Sequence, residues 1–327
     1  EISGLNIKTL SSDPSNLNEG EMWYNTTSNT LKGALISAAA WSTGGVTANN
    51  RVQGGSAGTI TAGLYTGGPN TGPLGMTATE EYDGSAWTAG GVLNTGRADL
   101  GSAGTQTAAL AFGGLTPSAT TATEEYNGSA WTTIPAGTLP ATKVAMSCAG
   151  TQTAALSSFG NSSPGDTNTS EEYDGSTWTV GPVGNTARRD LSKGVVGTQA
   201  AGLAIGGRIG GTATAVVEEY NGSSWTTVTS YPTALRAAGA SGTQTSSLIA
   251  GGQSISGDTT TISAVTSSYD GSSWTAQASL GTAVYFNNSF GVDATAAVTT
   301  GGWLPAGTNA TEEYNPGVLA AQTVTTS

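Results

Sequence analysis

The nine-residue word TEEYDGSAW (79–87) returns along the chain as TEEYNGSAW (123–131), SEEYDGSTW (170–178) and VEEYNGSSW (217–225), with a looser copy, SSYDGSSW, at 267–274. A sixth copy, TEEYNPG (311–317), has no Trp five residues after its Tyr. Recurrence of this kind constrains the fold more than any other feature, because each copy must be one supersecondary unit that buries its apolar face against the next. Gly-rich words complete the units. The corners are Gly58-Thr59, Gly104-Thr105-Gln106, Gly150-Thr151-Gln152, Gly197-Thr198-Gln199, Gly242-Thr243-Gln244 and the degenerate Val292-Asp293-Ala294. Nine residues after each corner begins comes a double glycine, replaced once by Phe159-Gly160, and the period runs from 44 to 50 residues.

Each unit reads as four short strands. In the second, 100–105 and 107–114 flank a corner at Gln106, and 122–126 and 129–133 flank Asn127-Gly128. Asn-Gly or Asp-Gly between strand-like runs predicts a type I′ hairpin turn. No stretch shows a helical period with caps. Four-stranded units repeated at this length predict an all-β fold, a six-bladed β-propeller.

The doublet glycine after an apolar strand, the Tyr of the third strand and the Trp of the fourth together resemble kelch repeats over about residues 36–327. The structural set is Tyr82, Trp87, Tyr126, Trp131, Tyr173, Trp178, Tyr220, Trp225, Tyr269, Trp274 and Tyr314. Ahead of the repeats, GEMWYNTTSNTLKG (20–33) resembles a segment of bacteriophage tail-fibre and other virion appendage proteins. These likenesses divide the chain into an N-terminal arm or attachment segment, 1–35, and a propeller, 36–327.

The missing sixth Trp is expected at the other end of the chain. AAAWSTGGVTANNR (38–51) follows the pattern of SAWTAGGVLNTGR (85–97), so Trp41 lies on a fourth strand with no first three before it. Pairing it with the strand of Tyr314 would remove two open edges and close the ring. The rival is that VLAAQTVTT (318–326) fills the slot or adds an outer strand.

Composition then removes function classes. A net charge of −12, with only ten Lys and Arg, argues against nucleic acid and against an anionic membrane surface. The longest apolar candidate, ALISAAAW (34–41), is too short to span a bilayer. The chain opens on Glu1 without a Met or signal-like segment, as expected of a processed or truncated chain. There is no His, which removes Ser-His-Asp and Cys-His catalysis and the commonest metal ligand; the copper oxidases built on kelch propellers need it. No cofactor or metal is expected. Cys148, the single cysteine, reads as a packing residue opposite Ser102.

The Glu-Glu pairs (80–81, 124–125, 171–172, 218–219 and 312–313) do not make a catalytic dyad, because strand neighbours point to opposite faces. One of each pair is expected solvated and the other paired with a strand-end cation. Positions 83, 127, 174, 221, 270 and 315 alternate Asp and Asn, which suits turns and not a catalytic carboxylate.

Arg51, Arg97, Lys143, Arg189 and Arg236 each precede a Gly-Thr corner by six to eight residues, and Tyr285 takes the sixth place. They are read as a broken ring at the channel mouth, either paired with Glu, Asp99 and Asp190 or reading an anionic or polyhydroxylated ligand. The corners Gly-Thr-Gln and Tyr-Asp/Asn-Gly share one uniform face, while the connections 69–77, 115–121, 161–168, 208–215, 253–265 and 303–309 diversify the other. Trp303 lies on that variable face, placed to stack on a sugar or to tuck down. The expected function is non-enzymatic recognition by a virion or extracellular appendage, the variable face binding a host-surface glycan or protein. Other virion subunits are expected partners, and a homo-oligomer is left open. The alternatives are a purely structural decoration or adaptor subunit and a polysaccharide-acting enzyme on a propeller scaffold.

Overall fold

The computed structural model describes residues 7–69, 75–163, 165–256, 259–304, 306–317 and 319–324. The described residues are all-β, without a helix. Two compact units emerge, Trp41–Tyr314 and a smaller one that combines Glu1–Ala40 with Asn315–Ser327. The division differs from the expected boundary at 35, and the C-terminal segment groups with the N-terminal one instead of continuing the repeats.

The described residues of the smaller unit include one four-stranded sheet. Lys8–Leu10 runs parallel to Met22–Asn25, which pairs antiparallel with Thr30–Ile36, and Leu319–Thr323 adds the far edge. Segment 20–33 is therefore a hairpin and its approach. Trp23 is fully buried and donates its indole N–H to Asp13 Oδ1 at 3.0 Å. Asn25 Oδ1 caps the turn by accepting from the N–H groups of Thr27 and Ser28.

The described residues of the larger unit form six four-stranded sheets, here numbered 1 to 6. Sheet 1 is Gly55–Thr59, Ala62–Thr66, Thr79–Tyr82 and Trp87–Ala89, all antiparallel. Sheets 2 to 5 repeat it, with first strands Gly101–Gly104, Ser147–Thr151, Gly197–Thr198 and Gly239–Thr243. Sheet 6 is Asn288–Asp293, Ala296–Thr300, Thr311–Asn315 and, as its fourth strand, Ala40–Thr43. Trp41 thus lies beside Tyr314, ring centroids 5.3 Å apart. The stretch 318–326 does not fill that slot; its described part pairs with Thr30–Ile36.

Burial explains each strand's composition. Second strands such as ALAF (109–112) and AGLAI (201–205) are covered on both faces and read as apolar runs. First strands adjoin one another in sheet order, and that of sheet 6 adjoins that of sheet 1. Such convergence admits only small side chains: a Cβ on Gly55 would lie 2.9 Å from Ser102 Cβ. Fourth strands of sheets 2 to 4 bury only their Trp.

Three side chains stitch neighbouring sheets. Each fourth-strand Trp donates to the preceding sheet's third strand: Trp131 to Thr79, Trp178 to Thr123, Trp87 to Thr311 and Trp41 to Thr266. Where that strand begins with Val217, which lacks a hydroxyl, Trp274 turns to the Thr229 carbonyl. The corner glutamines Gln106, Gln152, Gln199 and Gln244 each donate to two carbonyls of the previous sheet. The third-strand tyrosines donate to the second Glu of the previous sheet, for example Tyr126 to Glu81 at 2.6 Å and Tyr173 to Glu125 at 2.9 Å. The second glutamates are therefore hydrogen-bond acceptors between sheets, not the free solvated groups that strand alternation suggested. Sheet 5 has Ser268 at that position, and there Gln277 accepts from Tyr314 at 2.8 Å.

The Tyr-to-Trp turns also differ from expectation. Asp83 Oδ1 accepts from Ser85 N, Ser85 Oγ and Ala86 N, all at 2.8 Å, and Asp83 N donates to Ala86 O. Gly84 has a φ of 96° while Asp83 stays out of the left-handed region, so this is an Asx-capped loop and not a type I′ turn.

Candidate functional site

Six residues in the left-handed region, none of them glycine, mark equivalent points where the chain enters each first strand: Gln53, Asp99, Ala145, Asp190, Ala237 and Phe286. Their backbones form an unbroken circle, each N–H donating to the carbonyl of the one before and Gln53 donating to Phe286 O. A second circle runs from the second residue of each glycine doublet, such as Gly68 N to Arg97 O, Gly207 N to Leu235 O and Gly302 N to Arg51 O. These two circles fix which residues correspond among the sheets.

On that correspondence the expected ring of cations separates into two sets. Arg51, Arg97 and Lys143 stand two residues before the circle and are 0%, 0% and 1% exposed. They point into their own sheets and pair with Glu80, Glu124 and Glu171, the Arg97–Glu124 contact being 2.7 Å. Buried and paired with glutamates, these three take the paired arrangement, the first of the two expected for the ring. In sheet 4 the same place belongs to Arg188, fully buried against Glu218 at 2.5 Å, and not to Arg189. Desolvation lowers the pKa of Arg97, Lys143 and Arg188, each offset by its carboxylate partner.

Arg189, Arg236 and Tyr285 stand one residue later, and alternation turns them the other way. They meet the residue after each doublet across isolated bridges, Arg189 with Arg208, Arg236 with Gln253 and Tyr285 with Trp303. Around the two arginines lies an open depression of about 360 Å³, lined by Gln53, Asp99, Val144, Asn161, Arg189, Asp190, Arg208, Arg236 and Phe286 among others. Asp190 Oδ2 lies 2.8 Å from both Arg208 and Arg236, and Arg189 lies 2.8 Å from Asp166. Arg236 also stands over Phe286, 5.1 Å from its ring centroid. The side chains of Arg189 and Arg208 each keep 28% of their surface exposed. The mouth positions are lopsided: sheets 1 and 2 bring Val52, Ala98 and Leu115, sheet 3 brings Val144 with Asn161, sheets 4 and 5 bring arginines and Gln253, and sheet 6 brings aromatics. Trp303 is 38% exposed, so its ring does not tuck down.

Behind the depression the approach to the first strand of sheet 4 carries two extra residues, Lys193 and Gly194, between Asp190 and its Gly-Thr corner. They reach three other sheets. Gly194 bridges Ser289 of sheet 6, Lys193 bridges Gly239 of sheet 5, and the Lys193 ammonium reaches Asp99 of sheet 2 at 3.2 Å. Only Gly fits at 194, because a Cβ there would lie 1.8 Å from Ala240 O. Burial pushes the Asp99 carboxyl upward, and Lys193 counters it. Cys148 is buried with its thiol pushed up to about 11 by desolvation, which leaves no thiolate at neutral pH.

The two faces assort as the corners suggested. On one lie the glutamine clamps and Asx-capped loops; on the other the second-to-third connections of sheets 2 to 5 form two-stranded ribbons beside the mouth. Parts of 69–77, 161–168, 253–265, 303–309 and 318–326 lie outside the described residues. Among the described residues no cluster of three or more Asp, Glu or Cys is placed to hold a metal ion.

No protein-family profile matches the chain, and no curated protein matches it. Among solved structures it is similar to one described as the structure of YjhT, with a TM-score of 0.68 and 15% identity, covering 81% of this chain and 95% of that one. At that identity the likeness establishes the fold, a β-propeller, and nothing of the chemistry.

Proposed function

We propose that this chain is a non-enzymatic recognition protein whose lopsided depression and surrounding ribbons bind an acidic, polyhydroxylated group, such as a charged sugar of a host-surface glycan. The carrying observation is that Arg189 and Arg208 remain partly exposed while Asp166 and Asp190 hold them in place. Pre-positioned guanidinium groups lose little freedom on binding a carboxylate in a bidentate way. Tyr285, Phe286 and exposed Trp303 supply aromatic faces alongside. We further propose that the six sheets are the blades of a closed ring of kelch type, for which the two hydrogen-bond circles and the strand order of sheet 6 speak. The setting proposed is a virion or extracellular appendage, supported by the likeness of 20–33 to virion appendage proteins, with other appendage subunits as partners. The absence of histidine and the buried, protonated Cys148 favour binding over catalysis.

The test is binding of the labelled protein to an array of acidic and neutral glycans. Replacing Arg189 and Arg208 together by Gln should weaken capture of acidic glycans at least tenfold and leave the melting temperature within a few degrees. Retained binding refutes the assignment. Capture of purified virion subunits alone would favour the structural-adaptor role, and release of cleaved glycan would establish an enzyme.

A further inference from the structure

The internal repeat offers its own reference for a second site. In sheets 1, 2 and 4 a guanidinium fills one slot: Arg97 Nη2 meets Glu124 at 2.7 Å, and its Nη1 donates to Ala122 O at 2.9 Å and Gly113 O at 3.3 Å. Arg51 makes the same three kinds of contact with Glu80, Ala78 O and Gly67 O. In sheet 3 Lys143 serves, donating to Thr169 O and Glu171.

Sheets 5 and 6 depart from this in different ways. In sheet 5 both charges are gone: Leu235 replaces the cation, Ser267 the carboxylate, and the Tyr231 hydroxyl lies 3.3 Å from Ser267 Oγ. Sheet 6 loses only the cation. Val284 stands in its place and Glu312 remains, accepting from Gly281 N at 2.7 Å but forming no ion pair among the described residues. Gly301 and Ala310 correspond to Gly67 and Ala78, since Gly301 N donates to Ala310 O as Gly67 N does to Ala78 O. Apart from that bond, Ala310 O receives only a long contact from Thr300 Oγ1 at 3.4 Å. A cavity of about 60 Å³ lies among Val284, Gly301, Leu304, Ala310 and Glu312. A water-sized group needs roughly 10–15 Å³ of such space, so the cavity holds on the order of four heavy atoms, the size of a guanidinium.

We propose that this slot in sheet 6 receives the guanidinium of an incoming ligand, either a free alkylguanidine or an arginine side chain of a docking partner. Glu312 supplies the charge, the carbonyls of Gly301 and Ala310 the two further acceptors, and Val284 with Leu304 the apolar collar for the alkyl arm. The site is separate from the arginine-lined depression and does not depend on its role.

The probes are n-butylguanidinium and its neutral isostere n-butylurea, titrated calorimetrically at low ionic strength, with a blocked Gly-Arg-Gly peptide to separate the two sources. Either cation should bind at least tenfold more tightly than butylurea. Glu312→Gln should abolish the difference. Val284→Arg, which copies sheets 1 and 2, should close the slot to both probes while raising or preserving the melting temperature. If that variant does not fold, the butylurea comparison and Glu312→Gln still decide. No binding by either cation, or binding indifferent to Glu312→Gln, overturns the site.

Discussion

A single acceptor oxygen explains why the turn positions tolerate both Asp and Asn. At Asp83, Asn127, Asp174, Asn221 and Asp270 the same Oδ1 receives two backbone N–H groups and a serine hydroxyl, work a carboxylate and an amide do equally well. The carboxylates differ in one respect: those bonds lower the pKa, to about 2 at Asp174. A depressed folded value means the stabilising contribution is present above the unfolded pKa near 3.8 and is lost as pH falls toward 2. Changing Asp83, Asp174 and Asp270 together to Asn should leave the midpoint of thermal unfolding at pH 7 nearly unchanged. It should also flatten the decline between about pH 4 and pH 2, measured by circular dichroism. The buried pairs behave otherwise. Arg97→Leu strands Glu124 and should cost about 3–5 kcal/mol in denaturant unfolding. Adding Glu124→Ser removes both charges, as in sheet 5, and should recover much of the loss.

At the scale of elements, the four-strand unit was legible because Tyr, Trp and the glycine doublet recur at fixed offsets. The doublet in particular encodes backbone, since both its positions have positive φ and a Cβ on Gly113 would lie 2.6 Å from Lys143 O. Phe159 occupies the left-handed region instead, its ring covered by Arg188 at 4.1 Å and by Trp225. The candidate ring was only half legible. Counting back six to eight residues from the Gly-Thr corners mixed two registers, because the spacing varies among the units, most of all where Lys193 and Gly194 are added, and a one-residue slip reverses every side chain. The signal was present in the longer gap from Asp190 to Gly197 than from Asp99 to Gly104. Deleting Lys193 and Gly194 should restore the common spacing yet leave Asp99 without its cation. The deletion should therefore lower stability by a few kcal/mol, and Asp99→Asn in the same background should return most of it, as read from chemical denaturation.

For the larger unit, the fourth strand of sheet 6 comes from a part of the sequence more than two hundred residues away, and Trp41 anchors it with hydrogen bonds to Thr266 and the Ala278 carbonyl. Trp41→Ala should cost about 3–5 kcal/mol, toward the lower end because the ring is only half-buried; an unfolding midpoint equal to the parent's would show that the strand contributes nothing. That long-range pairing could be inferred from one missing Trp, whereas the placement of the C-terminal strand could not, since 319–323 carries no repeat word. The chain segment at Lys193 and Gly194 finally bears on traffic through the molecule. With backbone laid from sheet 4 to sheet 6 and an ammonium reaching sheet 2, the axis of the proposed ring would be a dead end. A polymer could not then be threaded along it, and a ligand of the depression would arrive and depart by the same door. On the proposed reading, a terminus or a side branch suits such a vestibule better than a strand passing through it.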